Sequence, residues 1–404
     1  MNGDRFPTSE YKDRWERVRA ACREKGYDAV VVFSRGGAVV DSYADILYLI
    51  NHYHPFVFSN DFPNWWIGRA HAALVLTMEG DPSLVVDVTD WRRDLVKTPD
   101  VRFDFDVPGT VIKVLRERGL GNANIALVGG NAMTASVYRH LLDDAGEVSF
   151  TNDDKLVETV RIRKSPLEQQ AIRDAVSIGN RVMEAMMTRA LEPGVTEAQC
   201  ITAGLSIAME NCVAVYDAAC ASGPMSFHYA HGRLPSWTDR KLEAGDFFHV
   251  DTYGALDGYL YDFSRTAVCG GKPSADQQRI LDAAVEAVDA GVTTMKPGVP
   301  AKDIYHAVRN VLDGHGMVGE GLGGDYTETP ALCGSFPAHG HAIGLFWDPP
   351  WLLPDEEMLI EPGMAFGIEL MAGLPGVGAV KCEQNVIVTE TGCELLTTIP
   401  KYFV

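Results

Sequence analysis

The chain reads as an α/β (α+β) protein, with a small N-terminal α/β domain followed by a larger domain built from two related halves. Three observations predict this. Helix and strand patterns alternate through roughly the first 150 residues. A helix-start signature at Ser165 then opens a new run beyond the polar stretch Phe150-Thr-Asn-Asp-Asp154. After it, the order helix, Pro-Gly-Val, helix occurs twice, with strand hairpins between.

Residues 9–26 have amphipathic helical spacing and lead into a strand over 28–33, Asp28-Ala-Val-Val-Val-Phe33. Strands are expected at 72–77 and 83–87, joined through Glu79-Gly-Asp-Pro. A helix near 108–118 precedes the strand Ile125-Ala-Leu-Val-Gly129. The glycine pairs Gly119-Leu-Gly121 and Gly129-Gly130 lack the spacing of a phosphate-cradling loop, which excludes nucleotide binding there. The interdomain linker is placed near residues 150–154, giving domains of 1–153 and 154–404. Ser165, Pro166 and Glu168 supply an N-cap, an N1 proline and an N3 glutamate. Leu167, Ala171, Ala175, Ile178, Val182 and Met186 mark the face expected to be buried. That helix stops before Leu191-Glu-Pro-Gly-Val195. The pattern returns with Ser274 opening a helix and Met295-Lys-Pro-Gly-Val299 closing it, and a further helix begins near Ala301.

Composition narrows the function. At 404 residues and 46% hydrophobic, the chain can supply sizeable cores for two or three domains. A net charge of −20 argues against nucleic acid or an anionic membrane as partner. There is no apolar run of about 18 residues, and Met1-Asn-Gly-Asp-Arg-Phe-Pro7 lacks a signal-peptide core. The eight cysteines are scattered without a Cys-x-x-Cys pair, and are expected to be reduced thiols of a cytoplasmic protein.

Two hairpins carry the chemistry. Residues 245–266 read as two strands rich in aromatic and β-branched residues, with Asp257-Gly258 at the turn. That turn sets Tyr253 opposite Asp262, and places Asp251 on the same face, diagonal to Asp262 and roughly 5–8 Å away at Cβ. In the second hairpin, residues 364–369 and 379–388, the turn Leu374-Pro-Gly-Val-Gly378 centres on Gly376. Glu369 and Glu383 are equidistant from that centre, so a symmetric turn puts them face to face. Like charges directly opposed destabilise a strand pair, and two such pairs make sense when cations sit between them. With His341, flanked by glycine, the set is four carboxylates and one imidazole. Such a set fits a site for Mn²⁺, Fe²⁺, Co²⁺ or Zn²⁺ better than it fits a structural thiolate zinc site. Five ligands are too many for one ion with an open position, and two ions roughly 3.5–4 Å apart are the natural solution. Any one of these acids alone would read as a solvated strand residue.

These motifs resemble a known family. Leu242-Glu-Ala-Gly-Asp246, Val250-Asp-Thr252 and Asp257-Gly-Tyr-Leu-Tyr-Asp-Phe-Ser-Arg-Thr266 look like the first metal hairpin of the pita-bread metallopeptidases: prolidase, aminopeptidase P and their relative creatinase. Gly340-His-Ala-Ile-Gly-Leu345 resembles the histidine-ligand loop. Leu359-Ile-Glu-Pro-Gly-Met-Ala-Phe-Gly-Ile-Glu369 and the run from Glu383 to Thr397 resemble the two glutamate strands. The resemblance is strong over roughly 155–404 and weaker over 10–150. It implies a creatinase-type N-terminal domain, a pita-bread domain with an internal two-fold, two divalent ions (Mn²⁺ in first place), and cleavage of a C–N bond in a small amide or Xaa-Pro dipeptide. In the family pattern Asp262 and Glu383 bridge, Asp251 completes one ion, and His341 with Glu369 completes the other. Glu369 would also carry a proton from water to the leaving nitrogen.

The resemblance marks further residues. The family has a substrate-contacting histidine in the loop that here holds His228 and His231, though the spacing matches neither cleanly. Asp348, in Phe346-Trp-Asp-Pro-Pro-Trp351, stands where the peptidases carry a second histidine. A carboxylate between Trp347 and Trp351 is expected to hold a cationic or zwitterionic substrate, or else to cap an Asp-Pro-Pro turn. The departure favours an alternative on the same fold, action on a non-peptide zwitterion as in creatinase, ectoine hydrolase or a sulfonium lyase. A non-enzymatic binding module is disfavoured because all five ligands are present. The aromatic stretch over 53–66 is expected to serve homodimer pairing and a lid shared with a neighbouring subunit.

Overall fold

The computed structural model describes residues 4–36, 43–55, 70–317 and 338–404. The chain divides into two compact units, Met1–Ile162 and Arg163–Val404.

In the first unit the helices are α1 (Thr8–Lys25), α2 (Ala44–Ile50), α3 (Val107–Glu117), α4 (Ala135–Asp144) and α5 (Lys155–Arg161). The strands are β1 (Ala29–Arg35), β2 (His71–Thr77), β3 (Ser83–Val86), β4 (Asp100–Phe103), β5 (Asn124–Val128) and β6 (Ser149–Asn152). They form one mixed sheet in the order β4-β3-β2-β1-β5-β6. Both faces of β1 and β2 are buried, which suits their unbroken valine, leucine and alanine runs. The polar stretch expected to be a linker is instead the edge strand β6, paired in parallel with β5. Its exposed polar residues are those of a sheet edge. Asp154, just beyond it, accepts the N–H groups of Gly129 and Gly130 at 2.8 and 3.0 Å. That glycine pair therefore closes a turn, and α5 falls within the first unit.

The second unit holds α6 (Pro166–Ala190), α7 (Glu197–Glu210), β7 (Ala214–Ser222), β8 (Phe247–Leu256), β9 (Tyr259–Val268), α8 (Ala275–Thr294) and α9 (Ala301–Gly314). Strands β10 (Gly340–Ile343), β11 (Trp347–Trp351), β12 (Ala365–Leu374), β13 (Gly378–Val388), β14 (Cys393–Leu395) and β15 (Tyr402–Phe403) complete it. One sheet runs β15-β9-β8-β7 and the other β11-β10-β12-β13-β14. Helices α6 and α7 pack together, with α6 on β8 and β9, whereas α8 and α9 pack together, with α8 on β12 and β13. This is the expected repetition of helix pair and hairpin.

Local chemistry sets each piece. Ser165, Thr196 and Ser274 each form a full capping box with Glu168, Gln199 and Gln277. Of the face expected to be buried on α6, Ala171, Ala175, Val182 and Met186 are buried, Ile178 is half-buried, and the stripe widens to take in Glu168, Ile172, Val176 and Met183. Leu167 is exposed, and Glu168 is buried because Tyr259 Oη donates to its Oε1 at 3.0 Å. Gly179 brings α6 against Tyr261, where a β-carbon would lie 2.6 Å from the ring. At the first hairpin turn Asp257 and Gly258 both have positive φ, 50° and 89°, as a type I′ turn requires.

The two hairpins are joined side by side by side chains instead of a backbone ladder. Asp262 N donates to Asn385 Oδ1 at 3.1 Å, and Asn385 Nδ2 donates back to Asp262 O. Thr266 Oγ1 donates to Lys381 O at 3.0 Å and accepts from Lys381 N at 2.9 Å. The buried Arg265 guanidinium donates to Glu383 O and, at 2.8 Å, to Gln384 Oε1. These bonds hold β9 against β13, and so Asp262 beside Glu383.

Candidate metal centre

Register decides which acids meet. On β8 and β9, Tyr253 pairs with Asp262 and Asp251 with Ser264, so Asp251 lies diagonal to Asp262 as expected. On β12 and β13, Glu369 is directly opposite Glu383. His341 stands on strand β10 instead of in a loop, opposite Gly367. It therefore shares a face with Glu369, two residues further along β12. Gly367 leaves the room this needs, since a β-carbon there would sit 2.4 Å from Glu383 Oε1.

All five side chains are between 1% and 5% exposed. They line a cavity of about 200 Å³ together with Tyr229, Tyr253, Trp347 and Trp351. Their potential ligand atoms fall into two groups within 4.8 Å, one of Asp262, His341 and Glu383, the other of Asp251, Glu369 and Glu383. Glu383 belongs to both. Burial first, then the neighbouring Asp251 and Glu369 charges, drive Asp262 well above the usual carboxylate range. Burial, followed by Asp262, Glu369 and Asp251, does the same to Glu383. Burial lowers the His341 imidazole below its usual value.

Several features fit divalent cations. His341 Nδ1 lies 3.2 Å from Ala342 O, which fixes the tautomer with the Nε2 lone pair free. That Nε2 faces Asp262 Oδ2 at 3.7 Å and Glu369 Oε1 at 3.9 Å, beyond hydrogen-bond reach. Asp251 Oδ1 and Glu383 Oε1 are buried without a hydrogen-bond partner among the described residues. Buried carboxylate oxygens of this kind require compensation. The donor set of oxygens and one imidazole suits borderline-hard divalent ions.

One cation is built in. Lys381 Nζ bonds Asp251 Oδ2, lies 3.3 Å from Glu369 Oε2, and sits 4.5 Å from the centre of the Tyr229 ring. Burial alone would lower its pKa, but Asp251, Glu369 and Glu383 outweigh burial and raise it. Lys381 and Tyr229 escaped the sequence reading. The signal for Lys381 was available: it stands two residues before Glu383 on the same strand and so shares its face.

Three other expected site residues lie elsewhere. Asp348 is 1% exposed and accepts from Lys164 Nζ at 3.0 Å, on the face of β11 opposite the cavity. Alternation along β11 explains this, because Trp347 and Trp351 take the cavity face. Asp348 therefore does not reach a substrate in the cavity. His231 Nε2 lies 2.9 Å from Glu197 Oε1. Glu197 also accepts from Ser222 Oγ, from Thr238 N at 2.9 Å and from Thr238 Oγ1 at 2.6 Å. His231 thus ties its loop to the start of α7. His228 is exposed and does not line the cavity.

A carboxylate-rich pocket between paired hairpins, in the second unit of an α/β chain, fits the class of metal-dependent hydrolases. Residues 170–390 match the metallopeptidase family M24, and residues 14–163 match the creatinase/prolidase N-terminal domain. An uncharacterized peptidase of Staphylococcus aureus strain USA300 is 28% identical over 290 residues, 69% of this chain and 74% of that one. The dipeptidase PepE from Mycobacterium ulcerans is 26% identical, covering 99% of this chain and 98% of that one, with a TM-score of 0.76. An Xaa-Pro dipeptidase from Bacillus anthracis shares the fold at 23% identity and a TM-score of 0.76, over 98% and 99% of the two chains. The chain belongs to metallopeptidase family M24 and is a metal-dependent peptide hydrolase.

Removing Lys381 leaves the Asp251 and Glu369 charges uncompensated in the metal-free protein. Lys381→Met is expected to destabilise chelator-stripped protein by roughly 3–5 kcal/mol, and by less once divalent metal is added. Urea denaturation with and without Mn²⁺ measures both values. Equal stability of variant and wild type without metal would show that the ammonium does not balance the acids.

Proposed function

We propose that the protein cleaves the C–N bond of small Xaa-Pro-type dipeptides, with Asp251, Asp262, His341, Glu369 and Glu383 holding two divalent ions. The observation that carries this reading is the pair of ligand groups sharing Glu383 inside one cavity. When bound, two such ions supply Lewis acidity and lower the pKa of water. The chain's own residues do the rest. Asp262 and Glu383, joined through Asn385 and Arg265, keep the two hairpins in fixed register about the ions. Glu369 has one oxygen toward Lys381 and the other toward His341, which suits it to carry a proton toward the leaving nitrogen. A cavity of about 200 Å³ restricts the ligand to a small molecule, and names borne by similar structures point to dipeptides. Mn²⁺ is the ion the oxygen-rich set favours first.

The rings of Tyr229, Tyr253, Trp347 and Trp351 support a second reading, a small zwitterionic amide held on aromatic faces. Metal-stripped enzyme reloaded with Mn²⁺ and assayed on Gly-Pro, Ala-Pro, creatine, ectoine and a sulfonium zwitterion separates the two. Turnover of the Xaa-Pro dipeptides alone is the expected result, and turnover confined to the non-peptides would overturn the peptidase reading. Asp262→Asn is expected to lose at least one ion and two or more orders of magnitude in rate, since the ions contribute several kcal/mol. Retention of both ions by this variant, measured by plasma emission, would remove Asp262 from the ligand set.

Homodimer pairing and a cytoplasmic setting are proposed from sequence. The aromatic stretch behind the pairing falls largely outside the described residues, which include only Tyr53, His54 and Pro55 of it. Among the described residues no helix is long and apolar enough to cross a membrane. Sedimentation at micromolar concentration is expected to give twice 44.1 kDa. A species of 44.1 kDa alone would remove both the pairing and the shared lid.

A further inference from the structure

Trp347 touches a ligand without being able to serve as one. Its indole Nε1–H donates to Asp262 Oδ2 at 2.6 Å. The ring meets Tyr253 edge-on at 5.0 Å between centroids and packs on Phe346 at 5.1 Å, with His341 5.8 Å away. Behind it, the buried Lys164–Asp348 pair fastens the next residue of β11. The ring is thus braced on its cavity side by Tyr253, and its strand is pinned from the rear.

An indole N–H is a donor only and has no lone pair for a cation. What it can do is fix the carboxylate it binds. With Oδ2 engaged, the Asp262 carboxylate cannot turn about its Cβ–Cγ bond without breaking a short charge-assisted hydrogen bond. Its remaining lone pairs therefore stay aimed toward His341 and Glu383. Groups that orient a ligand carboxylate in this way set metal affinity by about 10–100-fold. We propose that Trp347 is a positioning residue for the metal centre, holding Asp262 in its ligand orientation through the indole N–H. This rests on the reading of Asp262 as a ligand.

Trp347→Phe keeps an aromatic ring and removes only the donor. Titration of chelator-stripped protein with Mn²⁺, followed by calorimetry, is expected to show binding about 10–100-fold weaker than wild type, with an unchanged far-UV spectrum. A second measurement uses the unaltered protein. Among the signals of its seven tryptophans, one indole N–H resonance that persists in Trp351→Phe should move on titration with diamagnetic Zn²⁺. Should Trp347→Phe fail to fold, that titration decides. Wild-type affinity in Trp347→Phe would overturn the positioning role while leaving the ligand set standing. An indole spectrum unmoved by Zn²⁺ in protein that binds it would also overturn the role. Wild-type protein that binds no metal would overturn the ligand reading and this inference together.

Discussion

Electrostatic repulsion among four buried carboxylates is the constraint on which the rest of the second unit depends. Asp251, Asp262, Glu369 and Glu383 share one cavity and are each at most 5% exposed. Two of them are pushed far above the usual carboxylate range by burial and by their neighbours. A sheet would not oppose Glu369 and Glu383 across a ladder for stability's sake. The β12–β13 ladder holds those two opposed, and the bonds of Asn385, Thr266 and Arg265 between β9 and β13 bring Asp262 beside Glu383. Lys381 supplies one positive charge to a cluster of four carboxyl groups, paired with Asp251 and Glu369. Under the proposed ligand set, bound divalent cations would supply the remainder, so stability and function would share one requirement.

The same constraint accounts for the neighbours. His341 is held in the tautomer that a cation needs, by a bond to the adjacent carbonyl. Strand β11 divides its labour by alternation, with tryptophans toward the cavity and Asp348 toward Lys164. A buried ion pair of this kind is a weak source of net stability, but it is costly to break by halves. Here it keeps the strand from slipping by one residue, a slip that would exchange Asp348 for Trp347 at the cavity.

Much of this was legible in the chain. Both hairpin registers followed from turn chemistry, because Asp257-Gly258 and the Gly376-centred turn leave little choice of pairing. The capping boxes at Ser165, Thr196 and Ser274 rest on local bonds, and Ser165 and Ser274 were readable as helix starts. What was missed depends on distant partners. Hydrophobic spacing found Ala171, Ala175, Val182 and Met186 on the buried face of α6 but put Leu167 there and not Glu168, whose carboxylate is held by the distant Tyr259 as well as by its own cap. Residues 150–154 look like a linker because an edge strand exposes one side and carries polar residues. Asp348 looked like a substrate group because nothing local reveals that Lys164, 184 residues earlier, neutralises it. His231 is spent on Glu197 for the same reason.

The central claim is that the opposed hairpins exist to hold two cations about Glu383. Anomalous diffraction from a crystal equilibrated with Mn²⁺ tests it most directly. The account predicts two peaks roughly 3.5–4 Å apart, both within bonding distance of Glu383, one beside Asp251 and one beside His341. A single peak remote from Glu383, or fully ordered carboxylates with Lys381 as their only cation, would contradict it.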